Sequence, residues 1–219
     1  MYHRADVLRV TEIFHSIQGE STRAGLPCVF VRLTGCPMRC VWCDTEYAFE
    51  GGRSLDVDAV LDQVRRFPCD LVEVTGGEPL AQKDCALLIT RLCDLGRTVL
   101  VETGGGVPID AVDPRAVLIY DVKCPDSGEL AANVWANLDR LKAGIDEIKF
   151  VLASRRDYEW ALQIVRERGL AARHTVLFSP VVHAVAPRDL AAWILDDATP
   201  VRLQLQLHKI VWGADARGV

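Results

Sequence analysis

Three cysteines, Cys36, Cys40 and Cys43, stand in one short segment with the spacing C-x3-C-x2-C. Thiols this close together share a metal or oxidise. A structural zinc site closes four ligands, and His15, the upstream histidine that could complete one, lies far from the segment. Ferredoxin-type clusters also take four cysteines. A four-iron cubane held by three thiolates keeps one iron open. S-adenosylmethionine (SAM) can occupy that iron through its amino nitrogen and carboxylate oxygen. The spacing and the missing ligand therefore point to a [4Fe–4S] cluster and SAM radical chemistry, with a structural zinc loop as the alternative.

Other residues could serve such a site. Thr75-Gly76-Gly77-Glu78-Pro79 follows an apolar run, and its glycines let the backbone approach a ligand with no Cβ between. Glu102, followed by Gly104 to Gly106, could hold ribose hydroxyls or a polar base edge. Asp121 and Lys123 share a strand face by their spacing of two, and either meet a ligand or pair with each other. Cys28, Cys69, Cys85 and Cys93 read as small buried hydrophobes. Cys124 reads the same way, with a place in the site as its alternative.

These residues need a scaffold. The 219 residues suit one domain, and half of them are hydrophobic. A net charge of −5 gives no footprint for nucleic acid. No apolar stretch is long enough for a bilayer, and the N-terminus has no apolar leader core. Eight cysteines without a secretory signal suggest a reducing, cytoplasmic setting. Strand-like runs recur at 28–33, 71–75, 98–102, 117–122, 147–152, 175–180 and 201–207. Amphipathic helices are expected at 55–67 with Ser54 as cap, at 84–95 before Gly96, from Ser154 with Asp157 as cap partner, at 133–143 and at 187–196. Such alternation requires a mostly parallel sheet with helices outside, either open or curled into a partial barrel. The connection 102–117 is too short for a full helix, so the barrel should be irregular. Glycine and polar residues gather at the C-terminal strand ends, where sites lie in such sheets.

The segment CPMRCVWC resembles the signature loop of the radical SAM superfamily, in which an aromatic residue before the third cysteine packs near the SAM adenine. Trp42 holds that place, and TGGEP resembles the segment that contacts the SAM amino group. Ser16 to Glu20, Arg32, Asp44-Thr45, Gln206 to Lys209, Trp212-Gly213 and the final Arg217-Gly218-Val219 resemble the 7-carboxy-7-deazaguanine synthase family along nearly the whole chain. That resemblance implies an irregular (β/α) partial barrel and a radical ring contraction. The reaction converts 6-carboxy-5,6,7,8-tetrahydropterin to 7-carboxy-7-deazaguanine with loss of ammonia, on the path to queuosine. A 5′-deoxyadenosyl radical takes hydrogen from C6, the ring rearranges, and SAM is re-formed.

The resemblance also implies roles. Ile17, Gln18, Gly19, Arg32, Thr75, His208 and Val219 would hold the pterin, with Arg32 on its carboxylate. Thr45 would ligate Mg²⁺. Trp42, Gly77, Glu102, Asp121, Lys123 and Ser179 would contact SAM. Glu20 is the candidate for acid–base work. A flavodoxin or ferredoxin would supply electrons to a homodimer. Two departures bear on the transfer. Some relatives have a long insertion between the first two cysteines, and some carry Asn at the place of Gly104 and Gln at that of Ser179. The rivals are a glycyl-radical activating enzyme, which needs an open groove for a protein partner, and a non-catalytic iron–sulfur or zinc module.

Overall fold

The computed structural model describes residues 6–214 and 216–219. Residues 1–5, part of the stretch read for a leader, lie outside them. Fourteen regular elements follow in order: β1 (Val7–Ile17), β2 (Pro27–Leu33), β3 (Arg53–Asp56), α1 (Val57–Val64), β4 (Leu71–Gly76), α2 (Cys85–Asp94), β5 (Thr98–Thr103), β6 (Val117–Val122), β7 (Glu147–Leu152), α3 (Arg155–Glu167), β8 (Thr175–Pro180), α4 (Pro187–Asp196), β9 (Arg202–Leu203) and α5 (Leu207–Trp212). Short 3-10 turns fill several connections. The strands form one sheet in the order β3-β1-β2-β4-β5-β6-β7-β8-β9. From β2 to β9 every neighbour is parallel, while β1 runs antiparallel to β2 and β3. Sequential parallel strands joined by crossovers of one hand keep their helices on one face. The mostly parallel, partly closed (β/α) barrel expected from the sequence is the architecture found.

The alternation of the strands positions the site. Val29, Val31, Val72, Val74, Ile148, Phe150 and Phe178 are buried in the core, part of which the helices cover. The residues that alternate with such core positions face the barrel interior: Phe30 and Arg32, Glu73 and Thr75, Glu102, Asp121, Lys149 and Val151. Among the described residues no helix is long and apolar enough to cross a membrane.

Local chemistry sets the helix ends. At α3 the Ser154 hydroxyl accepts from the Asp157 amide, and the Asp157 carboxylate accepts from Ala153 N–H at 3.0 Å. Tyr158, Ala161, Leu162 and Val165 form its buried face, as their spacing predicts. Gly96 and Gly169 take φ +76° and +59° just after α2 and α3.

Four local expectations change. Helix α1 is capped by Asp56, which accepts from Ala59 N–H, because 53–56 pair with 7–10 as β3 before the helix begins. The segment 133–143 holds a 3-10 turn over Trp135–Asp139 instead of an α-helix. Asn133 there bonds both backbone groups of Lys123, and Asn137 donates to Val107 O, so side chains tie the segment to the strand-end loops. The strand at 201–207 stops after Leu203, since Gln206 turns to Glu20 and Asp44 and the chain enters α5. Strand β1, eleven residues long, was not expected.

Candidate active site

The C-terminal strand ends and the barrel interior enclose a cavity of about 690 Å³. Cys36, Cys40, Trp42, Cys43 and Thr45 reach it from the loop after β2, and Thr75 and Gly77 from β4 and its end. Glu102, Asp121 and Lys123 enter from β5 and β6. Ile17, Gln18, Gly19, Glu20 and Arg32 line another wall, with His208 and Val219 closing it from the C-terminal segment. Of the expected site residues, Ser179 alone lies off this wall; it is buried on β8, in register with Val151. Cys124 is buried among core residues and does not line the cavity, as the packing reading expects.

The cysteine loop is fixed by backbone. Gly35 N–H donates to Ala48 O, Glu78 N–H donates to Gly35 O, and Val41 N–H donates to Ser127 O. Arg39 caps the carbonyls of Cys36 and Met38, each at 2.7 Å. A Cβ on Gly77 would fall 2.0 Å from Gly35 O and 3.1 Å from the Cys36 Cβ, so the glycine segment lies flush on the loop. Glu78 turns away from the cavity. Its carboxyl accepts from Leu80 N–H, Thr103 Oγ1 and Gly104 N–H, stapling β4 to β5.

All three cysteines are free, and burial pushes each thiol up. Lys123 opposes that rise at all three. Such thiols need a metal centre to become thiolates. Among the described residues no three His, Cys, Asp or Glu side chains close on one point as a single ion requires. His15 lies tilted against Phe67, ring centroids 5.6 Å apart, and does not line the cavity, so it completes no zinc site with them. Three separated thiols on one loop suit the three corners of a cubane.

The interior carries charges from distant parts of the chain. Lys149 donates to Glu20 at 2.8 Å and also pairs with Glu102. Burial opposes its charge, but Glu102, Glu20 and Asp121 hold it protonated. Burial also works against ionised Glu20, and Lys149 and Gln206 reverse this, keeping the carboxyl below its ordinary range. Both Glu20 oxygens are engaged, the second by Gln206 at 2.9 Å. Glu73, by contrast, meets among the described residues only the Gln18 amide, at 2.5 Å. Burial, reinforced by Glu102, pushes the Glu73 carboxyl up to about 8. Gln18 is spent locally: its side-chain oxygen accepts from Glu20 N–H, and its backbone groups bond Leu26 and Gly25.

Near the rim, Arg32 donates Nε–H to Glu12 at 2.8 Å, with Phe14 and Tyr47 rings both 5.9 Å from its guanidinium carbon. Lys123 pairs with Asp121 at 2.9 Å, while the other Asp121 oxygen is buried and has no hydrogen-bond partner among the described residues. The Thr45 hydroxyl donates to Asp44 at 2.9 Å, and Lys209 donates to the other Asp44 oxygen. The His208 ring lies against Gly19, where a Cβ would meet Nδ1 at 2.0 Å. Arg217 stacks over Tyr47 at 4.3 Å and brings the C-terminal segment across the opening.

Sequence reasoning missed Glu73, Lys149, Glu12 and Tyr47, and quoted Gln206 only within a family-like segment, without a role. Glu73 and Lys149 did carry a signal, a charged residue inside the apolar runs LVEVT and EIKFVL. Glu12 and Tyr47 have no local signal.

A parallel partial barrel with three thiols over the strand ends is the arrangement of a radical SAM enzyme, and residues 30–116 match the family model of the radical SAM superfamily. The fold also resembles the crystal structure of QueE from Escherichia coli, with TM-score 0.75 over 92% of this chain and 95% of that one, at 22% identity. The chain is 47% identical to the 7-carboxy-7-deazaguanine synthase of Chlorobaculum tepidum, covering 97% of both chains. It is 44% identical to that of Koribacter versatilis, covering 97% of this chain and 100% of the relative. The chain belongs to the 7-carboxy-7-deazaguanine synthase family. Membership implies a [4Fe–4S] cluster and SAM, and it sets aside the glycyl-radical activating enzyme and the non-catalytic module.

Proposed function

We propose that this chain, as one domain, is a 7-carboxy-7-deazaguanine synthase that contracts the ring of 6-carboxy-5,6,7,8-tetrahydropterin and releases ammonia. One observation carries the reading: nearly every residue implied by the resemblance shares a single cavity. Cys36, Cys40 and Cys43 would hold the cluster, which together with SAM would supply the radical chemistry. Everything else falls to the protein, which binds, orients and excludes water.

Asp121 and Lys123 would meet SAM, and Gly77, Trp42 and Glu102 would complete its site. Arg32 binds the substrate carboxylate with the guanidinium edge that Glu12 leaves open. Thr75 and the 17–19 segment shape the pocket beside it. His208 and Val219 cover the ring. Burial lowers the His208 pKa, so the ring faces the pocket neutral. Thr45 contributes one neutral ligand to Mg²⁺, a hard ion that keeps waters and few protein ligands. Glu20, ionised and doubly bonded, positions Lys149 and carries no proton to give. The enzyme works as a cytoplasmic homodimer reduced by a flavodoxin or ferredoxin, and its product feeds queuosine synthesis.

The test is turnover of the carboxypterin by anaerobically reconstituted protein with SAM, Mg²⁺ and a strong reductant. Equal amounts of 7-carboxy-7-deazaguanine and ammonia are expected, with SAM not consumed. A Cys40→Ala protein should form no product. Steady release of 5′-deoxyadenosine without any deazaguanine would overturn the assignment.

A further inference from the structure

The barrel floor has an unbalanced set of charges. Glu20 from the loop after β1, Glu73 from β4 and Glu102 from β5, at the level of Thr75, surround one ammonium, Lys149. Both Lys149 contacts go to Glu20 and Glu102, and neither goes to Glu73. The Cys28 thiol on the adjoining strand is neutral and supplies no charge. Glu73 is buried and lines the cavity, and one of its oxygens accepts from Gln18. Its other oxygen accepts from no group among the described residues. Gln18 cannot take over recognition from this position, because both ends of its amide are already engaged, by Glu73 and by the Glu20 amide.

The register then gives a direction. Arg32 pairs with Thr75 and Phe30 with Glu73, so Glu73 lies two residues deeper on the same interior face, about 7 Å below the Arg32 rung. This step rests on the proposed function. A substrate carboxylate held at Arg32 directs the far edge of a fused bicyclic ring toward Glu73. We infer that Glu73 is a specificity-determining residue whose open oxygen accepts a hydrogen from the exocyclic amino group of a 2-amino-4-oxopyrimidine edge. A buried carboxyl with no cation bonded to it gains most from a donor that arrives with the ligand. Its raised pKa is what such a missing partner produces in the empty pocket; the arriving donor lowers it, the proton leaves to solvent, and the open oxygen becomes the acceptor.

The experiment measures equilibrium binding of two ligands to reconstituted, SAM-loaded enzyme. One ligand is the carboxypterin. The other is its analogue with the 2-amino group replaced by oxygen. Wild type should prefer the amino ligand. In Glu73→Gln the amide oxygen serves Gln18 and the NH₂ faces the cavity, turning an acceptor into a donor. The amino ligand should then weaken by roughly ten- to hundredfold, and the oxo analogue should not weaken. Glu73→Asp, which keeps the acid but withdraws it, should weaken the amino ligand without inverting the preference. Circular dichroism and iron content confirm that each variant is folded and loaded. If wild type binds the carboxypterin and both ligands respond alike to Glu73→Gln, the role of Glu73 falls alone. If wild type binds neither ligand, the pterin reading falls and takes the inference with it.

Discussion

Replacing Glu73 by Gln should stabilise the protein, and by more as the pH rises. The Glu73 carboxyl stands at about 8 in the fold against an ordinary value of 4.5. Below pH 4.5 the folded and unfolded states both hold the proton and nothing distinguishes them. Between the two values the unfolded chain releases the proton while the folded chain keeps it. The folded state then binds more protons, so the free energy of unfolding falls with rising pH and levels off above about 8. At pH 7 the penalty is on the order of 3 kcal/mol. Glutamine matches the neutral acid in shape and still offers an oxygen to Gln18, so it removes the penalty without removing the contact. The other carboxylates titrate in both proteins and cancel in the difference. Urea unfolding of identically prepared wild type and variant reads the effect. The midpoints should nearly coincide at about pH 5, and the variant should lead by roughly 1 M at about pH 8. Midpoints that keep a constant separation across that range would mean that Glu73 is ionised in the fold, and the account of the barrel floor would be wrong.

Arg32→Lys keeps a charge but cannot serve Glu12 and a substrate carboxylate with two parallel hydrogen bonds. It should weaken the carboxypterin about ten- to hundredfold and leave a pterin without the carboxylate nearly unchanged, as read by binding of both ligands with SAM present. Equal losses for both would make Arg32 structural. Gly104→Asn, the residue some relatives carry, should cost roughly 1–3 kcal/mol here, because its Cβ would fall 2.4 Å from the Met38 methyl. Met38→Ala in the same chain should recover part of that loss, and strictly additive effects in thermal unfolding would show that the two positions do not share the space.

The sequence determined what depends on neighbours a few residues apart. Cysteine spacing, the glycines of 75–77, the Ser154–Asp157 cap and the period-two strands are local features, and each is found where its residues imply. The fold class followed from them, since strand–helix alternation leaves few ways to build a sheet. Local reading failed where a distant partner competes with the local preference. The segment 133–143 has an amphipathic pattern, yet Asn133 and Asn137 bond to strand-end loops and hold it to a 3-10 turn. The run 201–207 alternates like a strand, yet Gln206 is drawn to Glu20 some 186 residues away and opens α5 instead.

Tertiary structure alone decided how the charges are shared. Glu73 and Glu102 look alike in sequence, each a carboxylate in a strand of valines and leucines. Lys149, 47 residues beyond Glu102, gives its ammonium to Glu102 and Glu20 and not to Glu73. The energy of a buried charge depends on what lies within a few ångströms of it, and folding sets those distances. Sequence therefore named the cluster loop and its neighbours, while the folded partial barrel decided that Glu73 keeps its proton.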